Sequence, residues 1–292
     1  MIRLSASDYV RTYLQLQVWK NETTLIPIAV RNYLQSGMGA QSTRAANAHA
    51  QLVAALPKQM DSPARALPPT FQVRGDKYVA TSLWRVYNGK GTPTEIQEVL
   101  WLALICGLVD EKTLSTYVDN NLGIDCGGFV ANYWGVGAPS VSAPNPTGAT
   151  GFKPRTIWGM FPKLQRKNAD EIEEDDAAIF FRDVKYDDPN TAAQPKNGGG
   201  YDSATGSQAF HIGVVSSATA IAGTNQVDLD IAESSGAKAS SGGNGVNVRS
   251  LGKVTATVAK GLVYCQDGIN RIYFTGKQGA VSPYPPTVLN FV

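Results

Sequence analysis

The sequence predicts an α+β fold, helical in its first half and built on a mostly antiparallel sheet in its second. Three observations lead there. Helical spacings and a helix-capping signature occupy Ser5 to Trp134. Short apolar or alternating runs separated by Gly, Asn and Ser follow from Ala177 onward. Strands and helices do not alternate along the chain as a parallel sheet requires. At 292 residues there is enough chain for one large domain or two modest ones with proper cores.

Taken in order, Ser5 to Lys20 reads as an amphipathic helix with Tyr9, Tyr13 and Leu16 on one side. A second helix is expected over Ile28 to Gln35, before the Gly37/Gly39 break, and a third over the Ala-rich stretch Gln41 to Leu56. His49 lies in that third stretch with no partner motif, and is read as a helix residue without chemistry. Pro57, Pro63, Pro68 and Pro69 then rule out continuous helix. A boundary is placed there, giving an N-terminal helical region over 1–69 and a main domain over 70–292. Phe71 to Tyr87 mixes alternating and helical spacing and is left unassigned.

Thr92-Pro93-Thr94-Glu95 is a capping box with proline at the first helical position. It opens a buried helix through Ile96, Val99, Leu100, Ala103, Leu104 and Leu108, with Cys106 as a small core residue. Leu114 to Asn120 forms a further helix. Ile124 to Trp134, IDCGGFVANYW, reads as a turn that delivers a thiol to the first turn of a helix whose apolar face is Phe129, Val130, Tyr133 and Trp134. The partial positive charge and unpaired N–H groups of a helix start favour thiolate over thiol and suit a developing oxyanion.

A Gly/Pro/Ser/Thr-rich loop is expected from Trp134 to Lys153, and a solvated acidic turn at Asp170 to Asp176, which lacks calcium-loop spacing. Strands are expected at Ala177–Phe181, Phe210–Val215, Val227–Glu233, Val246–Val248, Val254–Val258, Leu262–Cys265 and Ile272–Phe274. A polar excursion from Tyr186 to Gln208 separates the first two.

Composition excludes several function classes. A net charge of +2 without a basic, aromatic-interleaved run argues against a nucleic-acid partner. The longest apolar stretch, Val99 to Val109, is too short for a membrane span. The N-terminus lacks the apolar run and cleavage site of a Sec signal. The expectation is synthesis in the cytoplasm and, for any action in the periplasm or cell wall, a different delivery route. Three widely spaced cysteines suit free thiols, and two histidines without a C-x-x-C argue against zinc; neither a metal nor a cofactor is expected.

A cysteine nucleophile needs a base and a group to orient that base. A histidine base for Cys126 can only be His49 or His211, and His211 opens the strand HIGVV. The orienting group is expected from the next strand, where Glu233 shares a face with Val227, Leu229 and Ile231; Asp228 and Asp230 occupy the other face.

With these segments in place, a family resemblance can be stated. DCGGFV resembles the D-C-S-G-F/L-V motif of the NlpC-type, papain-like cysteine peptidases. AAIFF resembles their G-D-L-V-F-F strand, and FHIGVV their H-V-G-I-Y strand. The similarity covers 111–234. It implies a papain-like core with a nucleophile helix packed on a mostly antiparallel sheet. It also implies Cys126 as nucleophile, His211 as base and Glu233 as orienting residue, the glutamate being more like the related CHAP amidases. Asp125, Gly127 and Tyr117 are the substrate-side residues it implies. Gly127 replaces the usual Ser, the upstream Y-x-W-G-G element is missing with Tyr117 as its substitute, and the link to the base strand is long.

The resemblance implies hydrolysis of amide bonds in bacterial cell-wall peptides, as an amidase or endopeptidase of a phage or an antibacterial secretion system. A delivery apparatus or an immunity protein would then be partners. Two roles stand open for the N-terminal helices: a delivery or wall-binding module, or a layer bracing the core. Two other functions remain in play: a cysteine hydrolase or acyltransferase acting on a protein or lipid, and a non-catalytic binding module with a buried Cys126.

Overall fold

The computed structural model describes residues 4–21, 23–35, 39–136, 154–182, 208–236 and 245–279. Helix α1 (Ala6–Leu14) is capped by Ser5, whose side chain accepts from the Asp8 N–H. It ends six residues before a single helix to Lys20 would, because the chain turns at Gln15 into a hairpin of β1 (Leu16–Asn21) and β2 (Thr24–Ile28). The β-branched and aromatic residues Val18, Trp19 and Ile26 suit that pleated surface.

The helix expected at Ile28–Gln35 is absent. Residues 29–35 form an extended strap whose backbone groups are taken by remote partners. Val30 N–H donates to Tyr13 O (2.8 Å), Leu34 N–H to Ile124 O (3.4 Å), and Arg31 O and Asn32 O accept from Val246 (3.2 Å) and Ile124 (3.1 Å). Long-range hydrogen bonds override the local helical spacing here.

Helix α2 (Gly39–Ala55) follows, then a hairpin of β3 (Thr70–Val73) and β4 (Asp76–Val79) that runs directly into α3 (Ala80–Tyr87). The mixed spacing of Phe71–Tyr87 thus reflects two strands and a helix. Helix α4 (Pro93–Ile105) carries the complete reciprocal capping box of Thr92 and Glu95. Helix α5 (Leu114–Asn121) leads to α6 (Cys126–Tyr133), and α7 (Pro154–Met160) comes before the sheet. The expected 134–153 loop and the 186–208 excursion lie largely outside the described residues.

The sheet is a closed six-stranded antiparallel barrel. Its strands are β5 (Ala177–Arg182), β6 (Gln208–Ala220), β7 (Gln226–Ser235), β8 (Gly245–Ala259), β9 (Leu262–Asp267) and β10 (Asn270–Thr275), in the order β10-β5-β6-β7-β8-β9. The fold is therefore α+β. The runs expected as separate strands at Val246–Val248 and Val254–Val258 are one strand, β8, which a register shift opposite Leu229/Asp230 lets follow β7.

Strand alternation divides the barrel residues between two cores. Ala178, Phe180, Val215, Leu229, Ile231, Val263, Cys265, Ile272 and Phe274 fill the inside. Ala177, Ile179, Phe181, Ile212, Val214, Ala232 and Tyr273 face out into a larger core shared with the helices. In that core Tyr9 and Tyr13 of α1 meet Phe129 and Tyr133 of α6 at centroid distances of 5.4–6.0 Å. The acidic stretch Asp170–Asp176 is not wholly solvated. Asp176 is buried against Arg166 (2.7 and 2.8 Å), and Asp175 is buried, accepting from the Tyr133 hydroxyl. Among the described residues no helix is long and apolar enough to cross a membrane.

Candidate active site

Cys126 occupies the first turn of α6, and Asp125 caps it, with its carboxylate accepting from the Gly128 N–H at 2.6 Å. Phe129, Val130 and Tyr133 bury the helix among the core aromatics. Three further contacts fix its position. Asp125 N–H donates to Gly89 O (2.8 Å), Ser234 Oγ donates to Ile124 O (2.7 Å), and Asn132 Nδ2 donates to Gly91 O (3.0 Å). Asn132 Oδ1 in turn accepts from Arg85 (2.9 Å), whose guanidinium also grips Glu95 at 3.0 and 3.1 Å. A buried polar network thus ties α3, α4 and α6 together.

The register of the barrel supplies the remaining groups. Phe180 pairs with His211, and Gly213 pairs with Glu233, so His211 and Glu233 are diagonal neighbours on the inner face. His211 Nε2 lies 2.8 Å from Glu233 Oε2. Cys126 is close enough to His211 to raise its pKa, through hydrogen bonding and charge. With Nε2 committed to Glu233, Nδ1 is the nitrogen left for the sulfur. Gly213 allows the close strand approach, since a Cβ there would sit 2.4 Å from Ile231 Cγ2.

The three groups are deeply placed: Cys126 is 6% exposed, His211 2% and Glu233 0%. Burial disfavours the His211 imidazolium, but the hydrogen bonds and charges of Cys126 and Glu233 outweigh it and raise the group to about 9. For Glu233 burial opposes ionisation. The hydrogen bond and charge of His211, the charge of Arg249 and a hydrogen bond from Ser235 prevail and hold it below the ordinary carboxylate value.

Of the substrate-side residues implied by the sequence, Asp125 and Gly127 adjoin the thiol, but Asp125 is spent on structure. It caps the helix and forms an ion pair with Lys90, while burial raises its carboxyl against both contacts. The Tyr117 hydroxyl hydrogen-bonds that of Tyr87 at 2.6 Å. The tyrosine at the thiol is Tyr33, on the strap. Burial, followed by the charges of Cys126 and Asp125 and a smaller hydrogen-bonding contribution from Cys126, raises its phenol. Gln35 Oε1 lies 3.2 Å from the same hydroxyl, which donates to one acceptor at a time.

Sequence reasoning missed both Tyr33 and Arg249. Arg249 sits opposite Ile231 in β8, inside the barrel, with Nε 3.3 Å from Glu233 Oε1 and Nη1 2.9 Å from Asp267 Oδ2. No local signal marks Tyr33. An arginine on the inward face of an otherwise valine-punctuated strand was the available sign for Arg249. His49 packs 5.5 Å from the Tyr87 ring, and burial lowers its pKa. Burial raises Cys106 to about 11 and Cys265 to about 12.

A nucleophilic sulfur, an imidazole beside it and a carboxylate behind that imidazole can carry out acyl transfer. Of the N–H groups in the first helical turn, that of Gly128 is held by Asp125, and that of Cys126, which has no intrahelical acceptor, can bind an oxyanion beside the sulfur. Comparison with known proteins offers no guide: no family model, no curated protein and no solved structure matches this chain.

Proposed function

We propose that the protein is a cysteine hydrolase that cleaves amide bonds in bacterial cell-wall peptides, as an amidase or endopeptidase. The observation that carries the reading is His211 set between Cys126, which lies at a helix start and raises the imidazole's pKa, and Glu233, to which it is hydrogen-bonded at 2.8 Å. The α6 helix against an antiparallel barrel that carries the base is consistent with a papain-like, NlpC-type core. The resemblance of DCGGFV, AAIFF and FHIGVV to that family supplies the substrate class.

In this mechanism the Cys126 sulfur attacks the peptide carbonyl carbon, and the Cys126 N–H holds the oxyanion. The C–N bond breaks as His211 gives its Nδ1 proton to the leaving amine, which leaves a thioester. Water then loses a proton to Nδ1 and attacks the thioester carbon, and the sulfur departs. A phage or secretion apparatus would deliver the enzyme to the wall, with an immunity protein protecting the producer.

Purified peptidoglycan provides the test. Wild type should release muropeptides identifiable by mass spectrometry, and folded Cys126→Ala should release none. Rapid alkylation of Cys126 without any wall degradation would move the substrate to a protein or lipid.

A further inference from the structure

We propose that Arg249 is a positioning residue for the Cys126–His211 pair: it keeps Glu233 ionised in both charge states of His211 and so fixes which imidazole nitrogen accepts the thiol proton. This rests on the reading of Cys126 and His211 as nucleophile and base.

The two oxygens of Glu233 meet different partners inside the barrel. Oε2 meets His211 Nε2 at 2.8 Å, and Oε1 meets Arg249 Nε at 3.3 Å. Arg249 is itself buried, its guanidinium 5.3 Å above the Phe180 ring, and Nη1 reaches Asp267 at 2.9 Å. Outward from the thiol, the row is Cys126, His211, Glu233, Arg249, Asp267. The titratable groups facing His211 are Cys126 from α6 and Glu233 from β7; Tyr33 of the strap interacts with Cys126 in turn, and β5 packs the uncharged Phe180 against the imidazole. Those facing Arg249 are Glu233 and, from β9, Asp267.

A fully buried carboxylate stays ionised only beside a counter-charge. If His211 were the sole counter-charge, Glu233 would lose it whenever His211 delivered its proton to a leaving group. Glu233 would then take up a proton and donate it to Nε2. The imidazole proton would move to Nδ1, toward the sulfur, and block the nitrogen that must act as base. A guanidinium is permanently charged. With Arg249 behind it, Glu233 remains an acceptor, the imidazole proton stays on Nε2, and Nδ1 stays open.

Imidazole nitrogen NMR reads this directly. The two histidines give two spin systems, which His49→Gln assigns. In wild type, raising the pH should remove the Nδ1 proton and leave the Nε2–H tautomer. Arg249→Met should titrate His211 at least about one pH unit lower and yield the Nδ1–H tautomer, and Arg249→Lys should restore most of the wild-type behaviour. On peptidoglycan, kcat for Arg249→Met should fall by roughly 10²-fold with KM unchanged, the low end for a positioned acid–base group. In a Glu233→Gln background, Arg249→Met should have no further effect on the titration. A folded Arg249→Met with unchanged titration and tautomer overturns the proposal. Should that variant not fold, the Arg249→Met/Glu233→Gln pair decides. If it folds, the guanidinium serves Glu233; if it also fails, Arg249 is only part of the barrel wall and the proposal falls. The NMR readouts involve no substrate, so a tautomer switch in a protein that releases no muropeptides would sink the substrate reading alone.

Discussion

His211 sets the pH behaviour of the site. Its folded value, about 9, lies above the ordinary 6.5. The imidazolium, and the stability it lends, are therefore fully present below about 6.5 and are lost as pH rises through about 9. Glu233 has the opposite sign: its value is depressed, so its contribution is present above the ordinary carboxylate range and fades as pH falls through the folded value. In the proposed mechanism hydrolysis needs the proton on His211, so muropeptide release should decline on the alkaline side with an inflection near 9. Glu233→Gln should move that inflection to lower pH and reduce kcat/KM by roughly 10²- to 10³-fold. A pH–rate profile checks both, and an inflection unmoved in Glu233→Gln would remove Glu233 from the reading. At this scale the sequence was informative only where chemistry left few choices. Cys126 stands in a marked motif, and elimination among two histidines pointed to His211. Tyr33 and Arg249 acquire their roles from contacts across 93 residues of chain and through a strand register, and neither is written locally.

Helix α6 depends on glycine at the points where other backbone crosses it. Gly89 has φ +72°, and a Cβ there would lie 2.0 Å from Leu34 O and 3.1 Å from Asp125 N. Gly128 is as crowded, with Gly89 O 2.5 Å from its hypothetical Cβ. Gly89→Ala should therefore cost about 2 kcal/mol or more, lower the melting temperature by roughly 4–8 °C and slow hydrolysis, because Gly89 O holds the Asp125 N–H. Gly107→Ala is the control: φ is +68°, nothing lies within 4 Å, and only about 1 kcal/mol of backbone strain is expected. Thermal melts of the two compare them, and equal losses would show that crowding at Gly89 is relieved elsewhere. Helices with local punctuation were legible, α4 from Thr92-Pro93-Thr94-Glu95 and α6 from Asp125 onward. The 29–35 strap was not, since the backbone hydrogen bonds that hold it run to Tyr13, Ile124 and Val246, all distant in sequence or outside the strap.

The whole molecule has one core inside the barrel and a larger one between barrel and helices, and α1 lies in the second. A chain lacking residues 1–35 would lose Tyr9 and Tyr13 from the aromatic cluster and Tyr33 from the thiol. It should lose cooperative unfolding and the selective reactivity of Cys126, as circular dichroism melts and alkylation rates would report. A truncated chain that melts like the full one would make the N-terminal elements a separable module. The α+β class was legible from the order of helical and alternating patterns. Barrel closure was not, because it requires β10 to pair with β5, bringing Thr275 beside Ala177 across a stretch that gives no register. The wide separation of Tyr33, Cys126 and His211 has a consequence for biosynthesis. A ribosome must add 85 more residues after Cys126 (211 − 126) before the base exists, several seconds at ordinary elongation rates. Throughout that interval the emerging polypeptide holds Cys126 without its imidazole, and on the proposed reading the producing cell meets active protein only once translation has passed the last barrel strand.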